Sequence, residues 1–507
     1  MEPSALYDLG SIQLGLGYLF TVKTLAFLAL GFALGFIVGA IPGFNDANLM
    51  AILLPFTLLL DPMTAIITMS ALYCAAQAAG AIPAILINVP GTGGTAASTI
   101  EGYPMAQQGK AGFALGVSLG ASTVGGFFGA SAALVFAPIL GTFALRFGPA
   151  ELFMVALFGL TVVSALTGNN LAKGLMAAAL GLLFAFVGAD PATAFERGSF
   201  GVLELYDGLA LVPVILGLFG FSELLFLLRQ QSVAQKEMSL GSEGEVLGGF
   251  LHALKYRITL IRSCIVGAIV GFIPGAGASI GTFVCYGLAK QWSREKEKFG
   301  TGHPDGLVAT DSGNNAVAAG ALVPLLTLGL PGSGSTTLML AALYLHGVQP
   351  GPRLFINFQP EAYAILFSLF ISAALVAIVG LPIARYFKHV AFTPTKILVT
   401  VVFVLLFVGA FAWRFVAFDI LVMIFFGLVG VAMKIYNYPV SAFLLAFILG
   451  PIIEANYLRA ERIGGHEIFF SSGICITLWV LCVISLLAPL FLHIRDNIGP
   501  QKKGESL

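Results

Sequence analysis

Long apolar runs with very little charge recur along the whole chain. A helix needs about 20 mostly apolar residues to cross a bilayer. The clearest runs of this kind are 24–41, 112–140, 151–166, 171–188, 208–228, 361–381, 396–411, 415–433 and 473–493. Further apolar runs are shorter or interrupted by proline and glycine: 48–60, 63–89, 262–273, 276–289, 316–330 and 335–345. The sequence therefore predicts an all-α polytopic membrane protein with about 10 to 14 membrane-embedded elements.

The low share of charge excludes an ordinary soluble domain. Charged residues make up 10% of the 507 residues, whereas soluble proteins carry roughly 25%. The net charge is zero, so no nucleic-acid partner is expected, while membrane lipid is. The five cysteines lack CxxC spacing and the six histidines form no ligand pair. We therefore expect no disulfide, no cofactor and no metal other than a coupling Na⁺.

The most polar stretch, residues 229–257, divides the chain into two apolar parts. We predict a first membrane repeat at 1–228, a polar central linker at 229–257, a second repeat with C-terminal helices at 258–493 and a soluble tail at 494–507. The first ten residues contain no Lys or Arg, which a cleaved signal peptide would need, so we expect this segment to be retained.

Two motifs occur in both parts in the same order. GFIVGAIPG at 35–43 is echoed by GAIVGFIPG at 267–275, and PAILINVPGTGGT at 83–95 is echoed by PLLTLGLPGSGST at 324–336. The offsets are 232 and 241, and their difference matches a charged loop at 294–302 that has no counterpart in the first part. This pattern predicts an internal duplication of the kind found in secondary transporters.

Charge indicates how the repeats are oriented. In the second part, basic residues precede the first motif and follow its apolar stretch: Arg257, Arg262, Lys290, Arg294, Lys296 and Lys298. Both ends of 262–289 would then face the cytoplasm, as in a re-entrant hairpin broken at Pro274–Gly275. The equivalent first segment has only Lys23 before it and Asp61 after it. This asymmetry predicts two inverted repeats with re-entrant hairpins.

Each Pro-Gly break frees backbone groups that must find partners inside a bilayer. Freed N–H groups at the start of a half-helix suit a carboxylate, and freed carbonyls suit Na⁺. The residues predicted to bind substrate are Asn48, Thr92, Thr95, Ala278, Ser279, Ser333, Ser335, Thr336 and Asn315. Those predicted to form the breaks or bind a coupling ion are Pro42, Gly43, Asn45, Asp46, Pro90, Gly91, Pro274, Gly275, Gly277, Asn314, Pro331 and Gly332. The alternative is that Ser and Thr only cap the half-helices while Gly permits close packing.

Two acidic residues lie next to these segments. An acid at membrane depth is a functional candidate by default, and Asp46 directly follows a break. It could ligate a cation, carry a proton or cap the next helix. Asp311 precedes an apolar run, so capping is again the simple alternative. No HExxH motif, dinucleotide loop or pairing of nucleophile and base is present, so no enzymatic activity is expected.

The combined motifs resemble the large membrane subunit of the tripartite tricarboxylate transporters, over roughly 31–460. The motifs are GAIPG at 39–43, LLPFT at 53–57, AILINVPGT at 84–92, EGYPMAQQG at 101–109, IPGAGA at 273–278, NN at 314–315, VPLLTLGLPG at 323–332 and GPIIE at 450–454. The chain departs from that family by placing Asn45 and Asp46 soon after Gly43. It also carries Asp311 where the family usually has Glu.

The resemblance implies a multi-pass permease of the bacterial inner membrane. It implies import of di- or tricarboxylates such as citrate by symport with Na⁺ or H⁺, without ATP hydrolysis. It also implies two partners, a small membrane subunit and a periplasmic substrate-binding protein. The alternatives are a channel or single-component transporter for another solute, a membrane-embedded lipid-modifying enzyme and a structural scaffold.

Overall fold

A computed structural model describes residues 8–166, 170–190, 193, 195–229, 243–386 and 395–498. These residues are almost entirely helical, which confirms the predicted all-α class. Within them, seven helices are long and apolar enough to cross a membrane. They are Val22–Gly39, Pro62–Ile87, Ala111–Ala144, Leu211–Leu228, Gln359–Ile383, Ala417–Ile435 and Val440–Gly464. Val440–Gly464 was not among the predicted spans, because the charged residues in its C-terminal half make the whole segment look too polar to cross a membrane.

The contacts divide the chain into two compact units. The first lies within Met1–Arg146 and Ala210–Ala432, and the second within Phe147–Leu209 and Met433–Leu507. This spatial division differs from the division of the sequence at the polar linker, which stays a prediction. Of that linker, residues 230–242 lie outside the described part, and 243–253 form a helix. Most of the predicted tail, 499–507, also lies outside it.

The first unit begins with two helices and continues with a series of short and broken ones. Its helices up to residue 146 are α1 (Leu9–Leu19), α2 (Val22–Gly39), α3 (Asp46–Thr57), α4 (Pro62–Ala79), α5 (Ala81–Ile87), α6 (Thr99–Gln107) and α7 (Ala111–Ala144). The second unit follows with α8 (Pro149–Leu166), α9 (Leu171–Ala185) and a two-stranded antiparallel sheet, β1 (Gly188–Ala189) and β2 (Glu196–Arg197).

The chain then returns to the first unit. The helices from there to residue 345 are α10 (Leu211–Ile215), α11 (Ser222–Arg229), α12 (Glu243–Ala253), α13 (Arg257–Gly271), α14 (Gly277–Trp292), α15 (Pro304–Gly320), α16 (Leu322–Leu328) and α17 (Gly334–Leu345). The remaining helices are α18 (Leu354–Asn357), α19 (Gln359–Leu375), α20 (Leu381–Ile383), α21 (Thr395–Arg414), α22 (Ala417–Ile435), α23 (Val440–Gly464) and α24 (Gly473–Ile498). The last two helices belong to the second unit.

Rows of glycine bring α2 against α4 and α13 against α15. A Cβ added to Gly35 would lie 2.2 Å from the carbonyl oxygen of Leu72, and one on Gly39 would lie 2.6 Å from that of Ala76. In the second part of the chain, Gly267 and Gly271 approach Gly313 and Val317 in the same way, each with a 2.6 Å separation. The sequence offsets of these pairs equal those of the two motifs. We call residues 22–107 the first series and 257–345 the second series.

In each series, the two helices around the first break form a hairpin whose ends come together. The Lys23 ammonium, at the start of α2, lies 2.7 Å from the carboxylate of Asp61, just after α3. The Arg262 guanidinium in α13 lies 5.4 Å from the ring centroid of Trp292 at the end of α14. The returning helices are about 18 Å and 24 Å long, less than the roughly 30 Å of a hydrocarbon core. Their position in a membrane stays a prediction.

The helix after each second break ends beside the hairpin of the other series. Glu101 in α6 accepts hydrogen bonds from the backbone N–H groups of Gly302 and His303, which lie between α14 and α15. The His346 ring, at the end of α17, contacts the hydroxyl of Thr57 at the end of α3, at 3.1 Å. The two series are therefore interleaved rather than stacked end to end.

The second unit carries one cluster of charged residues. Arg197 in β2 forms two hydrogen bonds with the carboxylate of Glu454 in α23, at 2.6 and 3.2 Å, and also lies 3.3 Å from Asp190. The guanidinium packs over the ring of Phe186. Glu454 is the acidic residue of the GPIIE motif, so in this structure it holds the small sheet against α23.

Candidate functional site

The first break ends in a capped helix. Gly43 has a φ of 78°, which favours glycine, and the Asn45 side chain accepts a hydrogen bond from the Asn48 N–H at 3.0 Å. Asn45 is thus the cap, while Asp46 is the first residue of α3. Asp46 and Asn48 are both buried, at 3% and 2% exposure. The alternative in which Asp46 caps the helix does not match this geometry.

The second break is held by threonine hydroxyls. α5 ends at Asn88 in the left-handed conformation, and the Gly91 N–H returns to the carbonyl of Gly80 at 3.0 Å. The Thr95 hydroxyl accepts from the Thr92 N–H at 3.2 Å and donates to the Gly80 carbonyl at 3.0 Å. Much of the hydrogen-bonding capacity of Thr95 is therefore used in capping.

The fourth break repeats this arrangement. α16 ends at Gly329, again left-handed, and Ser333 caps α17. The Ser333 hydroxyl accepts from the Thr336 N–H at 3.2 Å, while the Thr336 hydroxyl accepts from the Ser333 N–H at 2.7 Å. Ser335 is buried and makes no part of this cap.

The third break lies against both of these. Gly275 and Gly277 have φ values of 77° and 64°, and the Gly275 N–H donates to the carbonyl of Pro331 at 3.3 Å. Ala278 and Ser279 begin α14 beside the second break, where a Cβ added to Gly93 would lie 2.7 Å from the Ser279 hydroxyl. Ser279 is exposed at this point, whereas Ala278 is buried.

Gln77 in α4 joins three of the elements that carry predicted residues. Its amide nitrogen donates to the Asp46 carboxylate at 2.8 Å, and its amide oxygen accepts from the Thr92 hydroxyl at 3.2 Å. Its main-chain carbonyl accepts from the Asn314 amide at 3.0 Å. The Ser335 hydroxyl lies beside the same Asp46 carboxylate. The four breaks therefore meet around one buried polar network.

Two buried amide groups, Asn48 after the first break and Asn314 in the network, have free hydrogen-bonding capacity. Within the described part of the chain, the Asn48 Nδ2 and Asn314 Oδ1 atoms are buried without a hydrogen-bond partner. Asn314 Oδ1 lies directly against Gly94 of the second break. Buried polar atoms without partners are rare and call for an explanation, such as an absent ligand, ion or water.

The two neighbouring asparagines differ in position. Asn314 belongs to the network around Gln77, whereas the Asn315 amide donates to the Asp311 carbonyl one turn earlier in α15. Asn315 lines a separate small space with Cys74 and Ser122. Asp311 does not cap a helix, because α15 begins at Pro304 with His303 as its cap. The Ser98 hydroxyl donates to the Asp311 carboxylate instead.

Two residues of the site, Gln77 and Tyr73, were not predicted from the sequence. The Tyr73 hydroxyl is fully buried beside Ser333. Gln77 is the one amide side chain between Met63 and Ile87, a long apolar run, and that isolation was the available signal. Nothing in the sequence distinguishes Tyr73 from other polar residues of membrane helices.

Comparison with known proteins gives a family. Residues 25–445 match the profile of the family described as the tripartite tricarboxylate transporter TctA family. The chain is 32% identical over 499 residues to an uncharacterized 52.8 kDa protein in the TAR-I ttuC' 3' region of Agrobacterium vitis. That alignment covers 97% of this chain and 98% of the relative.

A second, shorter relative comes from the same organism. It is an uncharacterized protein in the TAR-II ttuC' 3' region, 30% identical over 238 residues. The alignment covers 46% of this chain and 98% of that protein. No solved structure matches the chain significantly.

Proposed function

The chain belongs to the tripartite tricarboxylate transporter TctA family, and we propose that it is the permease subunit that imports small carboxylates by symport. The substrate class is that of dicarboxylates and tricarboxylates, with citrate as one candidate. A cation gradient, of Na⁺ or H⁺, would drive uptake. The bacterial inner membrane is the proposed location, and the proposed role is not enzymatic.

The observation that carries this proposal is the meeting of four helix breaks around Gln77. Three half-helices, α3, α14 and α17, begin there, and the N-terminus of a helix carries roughly half a positive charge. The unpartnered Asn48 Nδ2 atom is a donor aimed at no protein group in the described residues. Helix starts and amide donors together can hold a carboxylate without a fixed basic residue.

The interleaving of the two series supports an inverted-repeat transporter. α4 begins beside the first hairpin, and the chain then passes the second break to α6, whose Glu101 contacts the loop after α14. α15 begins beside that loop, and α17 ends at the first hairpin beside Thr57. Two such crossings in opposite senses are expected when one repeat is inverted relative to the other. The hairpins would then be re-entrant from opposite faces.

Family membership supports two partners, a small membrane subunit and a periplasmic binding protein that delivers the substrate. A single-component channel is the main alternative, and the absence of any effect of the partners on uptake would favour it. A lipid-modifying enzyme would need a cluster of reactive side chains near an interface. In the described residues, no group of three or more His, Cys, Asp or Glu side chains could hold a metal ion.

The test is uptake of a panel of radiolabelled carboxylates into proteoliposomes that contain the chain and its two partners. Na⁺ and proton gradients are imposed separately. We expect gradient-dependent uptake of at least one acid. Folded protein that moves none of them would contradict the proposed substrate class.

Variants at the breaks locate the site. The Asn48→Ala/Ser279→Ala double variant removes no helix cap in this structure. Adding Ser333→Ala removes the cap of α17, and adding Thr92→Ala removes the hydrogen bond to Gln77. We expect the double variant to lower substrate affinity at least tenfold while the protein stays folded. A Ser131→Ala/Thr142→Ala variant, with both hydroxyls on an exposed part of α7, is the matched control. Unchanged affinity in the folded quadruple variant would rule out this site.

A further inference from the structure

Asp311 lies in the middle of a wholly buried helix. Every residue of α15 from Asp305 to Gly320 is buried, and Asp311 is 1% exposed. At this position a carboxylate is too far from either helix end to interact favourably with the helix dipole, which acts within the first and last turns. The charge of Asp311 must therefore be compensated by side chains or by a bound ion.

Among the described residues, the polar side chains beside the Asp311 carboxylate are hydroxyls. Ser98 donates to Oδ1, and the Thr310 hydroxyl lies 3.5 Å from the same oxygen. Oδ2 has no hydrogen-bond partner among the described residues. The Ser118 hydroxyl of α7 lies beside the carboxylate, yet it too lacks a hydrogen bond of normal geometry. Oδ2 and the Ser118 hydroxyl are therefore both buried without a hydrogen-bond partner among the described residues.

Asp46 is also buried, but its charge is better compensated. It accepts from the Gln77 amide, lies beside Ser335 and begins α3, where its own helix presents free N–H groups. No Lys, Arg or His of the described chain pairs with either acid. Because a buried charge without a partner is costly, Asp311 has the stronger tendency to become neutral.

A proton fits this site better than a metal ion does. A metal cation requires several oxygen ligands that converge on one point, while the direct Ser98 contact occupies Oδ1 and leaves no gap there. A proton on Oδ2 needs a single acceptor, and the Ser118 hydroxyl beside the carboxylate is a buried oxygen without another partner among the described residues.

We propose that Asp311 is the proton-binding residue that couples proton movement to substrate movement. This inference rests on the proposed function. The proton adds to Oδ2 from one side of the membrane, giving a neutral carboxyl group, and leaves the same oxygen toward the other side. Asn314, one turn further along α15, bonds to Gln77. Protonation of Asp311 therefore removes a negative charge next to the network, which favours binding of an anionic substrate. By linkage, a bound carboxylate substrate favours protonation of Asp311 to the same extent.

Other titratable groups lie on the helices packed against α15. Among the described side chains, these are Glu101 and Tyr103 on α6, Tyr73 and Cys74 on α4, Glu245 and His252 on α12, Arg257, Arg262 and Cys264 on α13, Cys285, Tyr286 and Lys290 on α14, and Asp305 on α15 itself. Asp46 is linked to α4 through Gln77. None of them is a hydrogen-bond partner of the Asp311 carboxylate in the described structure. These groups are present both in the native protein and in a variant changed at Asp311 alone, so a difference in pH dependence between the two proteins reports on Asp311.

The first test compares two fluxes in proteoliposomes for an acid that the native protein transports. One is accumulation driven by a pH gradient, and the other is exchange of substrate across the membrane without a gradient. For Asp311→Asn we expect the ratio of driven uptake to exchange to fall at least tenfold. Asp311→Glu keeps a titratable group and should retain most of the ratio. Glu295→Gln, at an exposed acid outside the buried network, is the control and should keep the native ratio.

A second test does not depend on the substrate. Infrared difference spectra between about pH 8 and about pH 5 should show the carbonyl band of a carboxyl group that becomes protonated, and this band should be missing in Asp311→Asn. Its presence in the folded variant would overturn the proposal, as would proton-driven accumulation unchanged by Asp311→Asn. Loss of sodium-driven but not proton-driven uptake in that variant would also overturn it. If the native protein moves no carboxylate but the band depends on Asp311, the proposed substrate fails while the proton site stands.

Discussion

The first and second series pack in the same way but carry different acidic residues. Glycine rows at matching positions bring α2 against α4 and α13 against α15, and the left-handed residues Asn88 and Gly329 end α5 and α16 alike. Glu101 in the first series and Asp311 in the second have no acid at the matching position of the other. The glycine rows and the left-handed helix ends recur in both series, whereas these acidic residues do not.

Three of the buried acids, Glu101, Asp46 and Asp311, differ in the groups that compensate their charge. Glu101 accepts from the Tyr286 hydroxyl at 2.8 Å and from the N–H groups of Gly300, Gly302 and His303. The Asp46 carboxylate accepts from the Gln77 amide and lies at the start of α3. In the described residues, the hydrogen-bond donors beside the Asp311 carboxylate are hydroxyls. Glu101 thus holds one crossing of the two series through four hydrogen bonds, whereas Asp311 keeps the unpartnered carboxylate oxygen on which the proposed proton site depends.

The largest effect on stability is expected at Glu101. Glu101→Gln replaces the acceptor of four hydrogen bonds with an amide that can also point a donor at N–H groups. Hydrogen bonds to a charged group contribute roughly 1.5–3 kcal/mol each, and they are not additive, so we expect a loss of roughly 3 kcal/mol. Thermal unfolding in detergent measures it. Glu295→Gln, at an exposed acid of the same junction, is the control. Equal behaviour of the two variants would contradict the role given to Glu101.

Substitutions in the glycine rows test whether the helices of the two series pack equally closely. An added methyl group at Gly35 would lie 2.2 Å from the Leu72 carbonyl, and one at Gly267 would lie 2.6 Å from the Gly313 carbonyl. Both variants to Ala should lose roughly 1–3 kcal/mol of stability by overpacking, with Gly35→Ala the worse. Gly287→Ala in α14, where nothing lies within 4 Å of the added atom, is the matched control. A marked loss in only one of the two rows would break the equivalence of the series.

The second crossing, at His346 and Thr57, should be weaker than the one at Glu101. A single contact of 3.1 Å joins the two side chains, and a neutral hydrogen bond contributes about 1 kcal/mol. Thr57→Val removes the hydroxyl and nearly preserves the side-chain shape. We expect a loss near that value in the same unfolding experiment. A loss as large as that of Glu101→Gln would show that both crossings are equally fixed.

The smallest effect is expected at the ends of the first hairpin. Partial burial acts to raise the pKa of Asp61, but the Lys23 ammonium and hydrogen bonds from Thr64 outweigh it and lower this pKa to about 2. Because the folded-state pKa is below the unfolded value of about 3.9, the contribution to stability is complete above that value. It is lost as the pH falls through about 2.

Lys23→Gln tests this pair, since it leaves the helix cap at Asp61 intact. Both side chains are about half exposed, with 56% and 46% of their areas accessible. We therefore expect the variant to lose less than about 1 kcal/mol of stability. Unfolding of native and variant protein at neutral pH and in acid measures the difference, which should shrink in acid and in high salt. A difference independent of both pH and salt would contradict an electrostatic origin.

The structural features that could be predicted correctly are those that depend on neighbouring residues in the sequence. Apolar runs predict helices because an unpaired backbone is too costly in a bilayer, and the confirmed all-α class follows from that. The breaks at Pro42, Pro90, Pro274 and Pro331 all interrupt helices in the structure. The start of α15 was not foreseen, because His303 and Pro304 follow a charged loop. The span Val440–Gly464 was missed because Glu454 finds its partner Arg197 far away in sequence.

The sequence by itself determined the helical class, the family and the four breaks, since hydropathy, proline and glycine act on their own neighbourhood. Only the tertiary structure decided which polar residues meet. Gln77 reaches Asp46, Thr92 and Asn314 across separations of up to 237 positions, and Asn314 rather than Asn315 faces them. Asp311 lies in the buried interior of α15, whereas the sequence alone allowed it to cap the start of a helix. Such contacts depend on how whole helices pack, because burial and the need for hydrogen-bond partners are properties of the assembled interior.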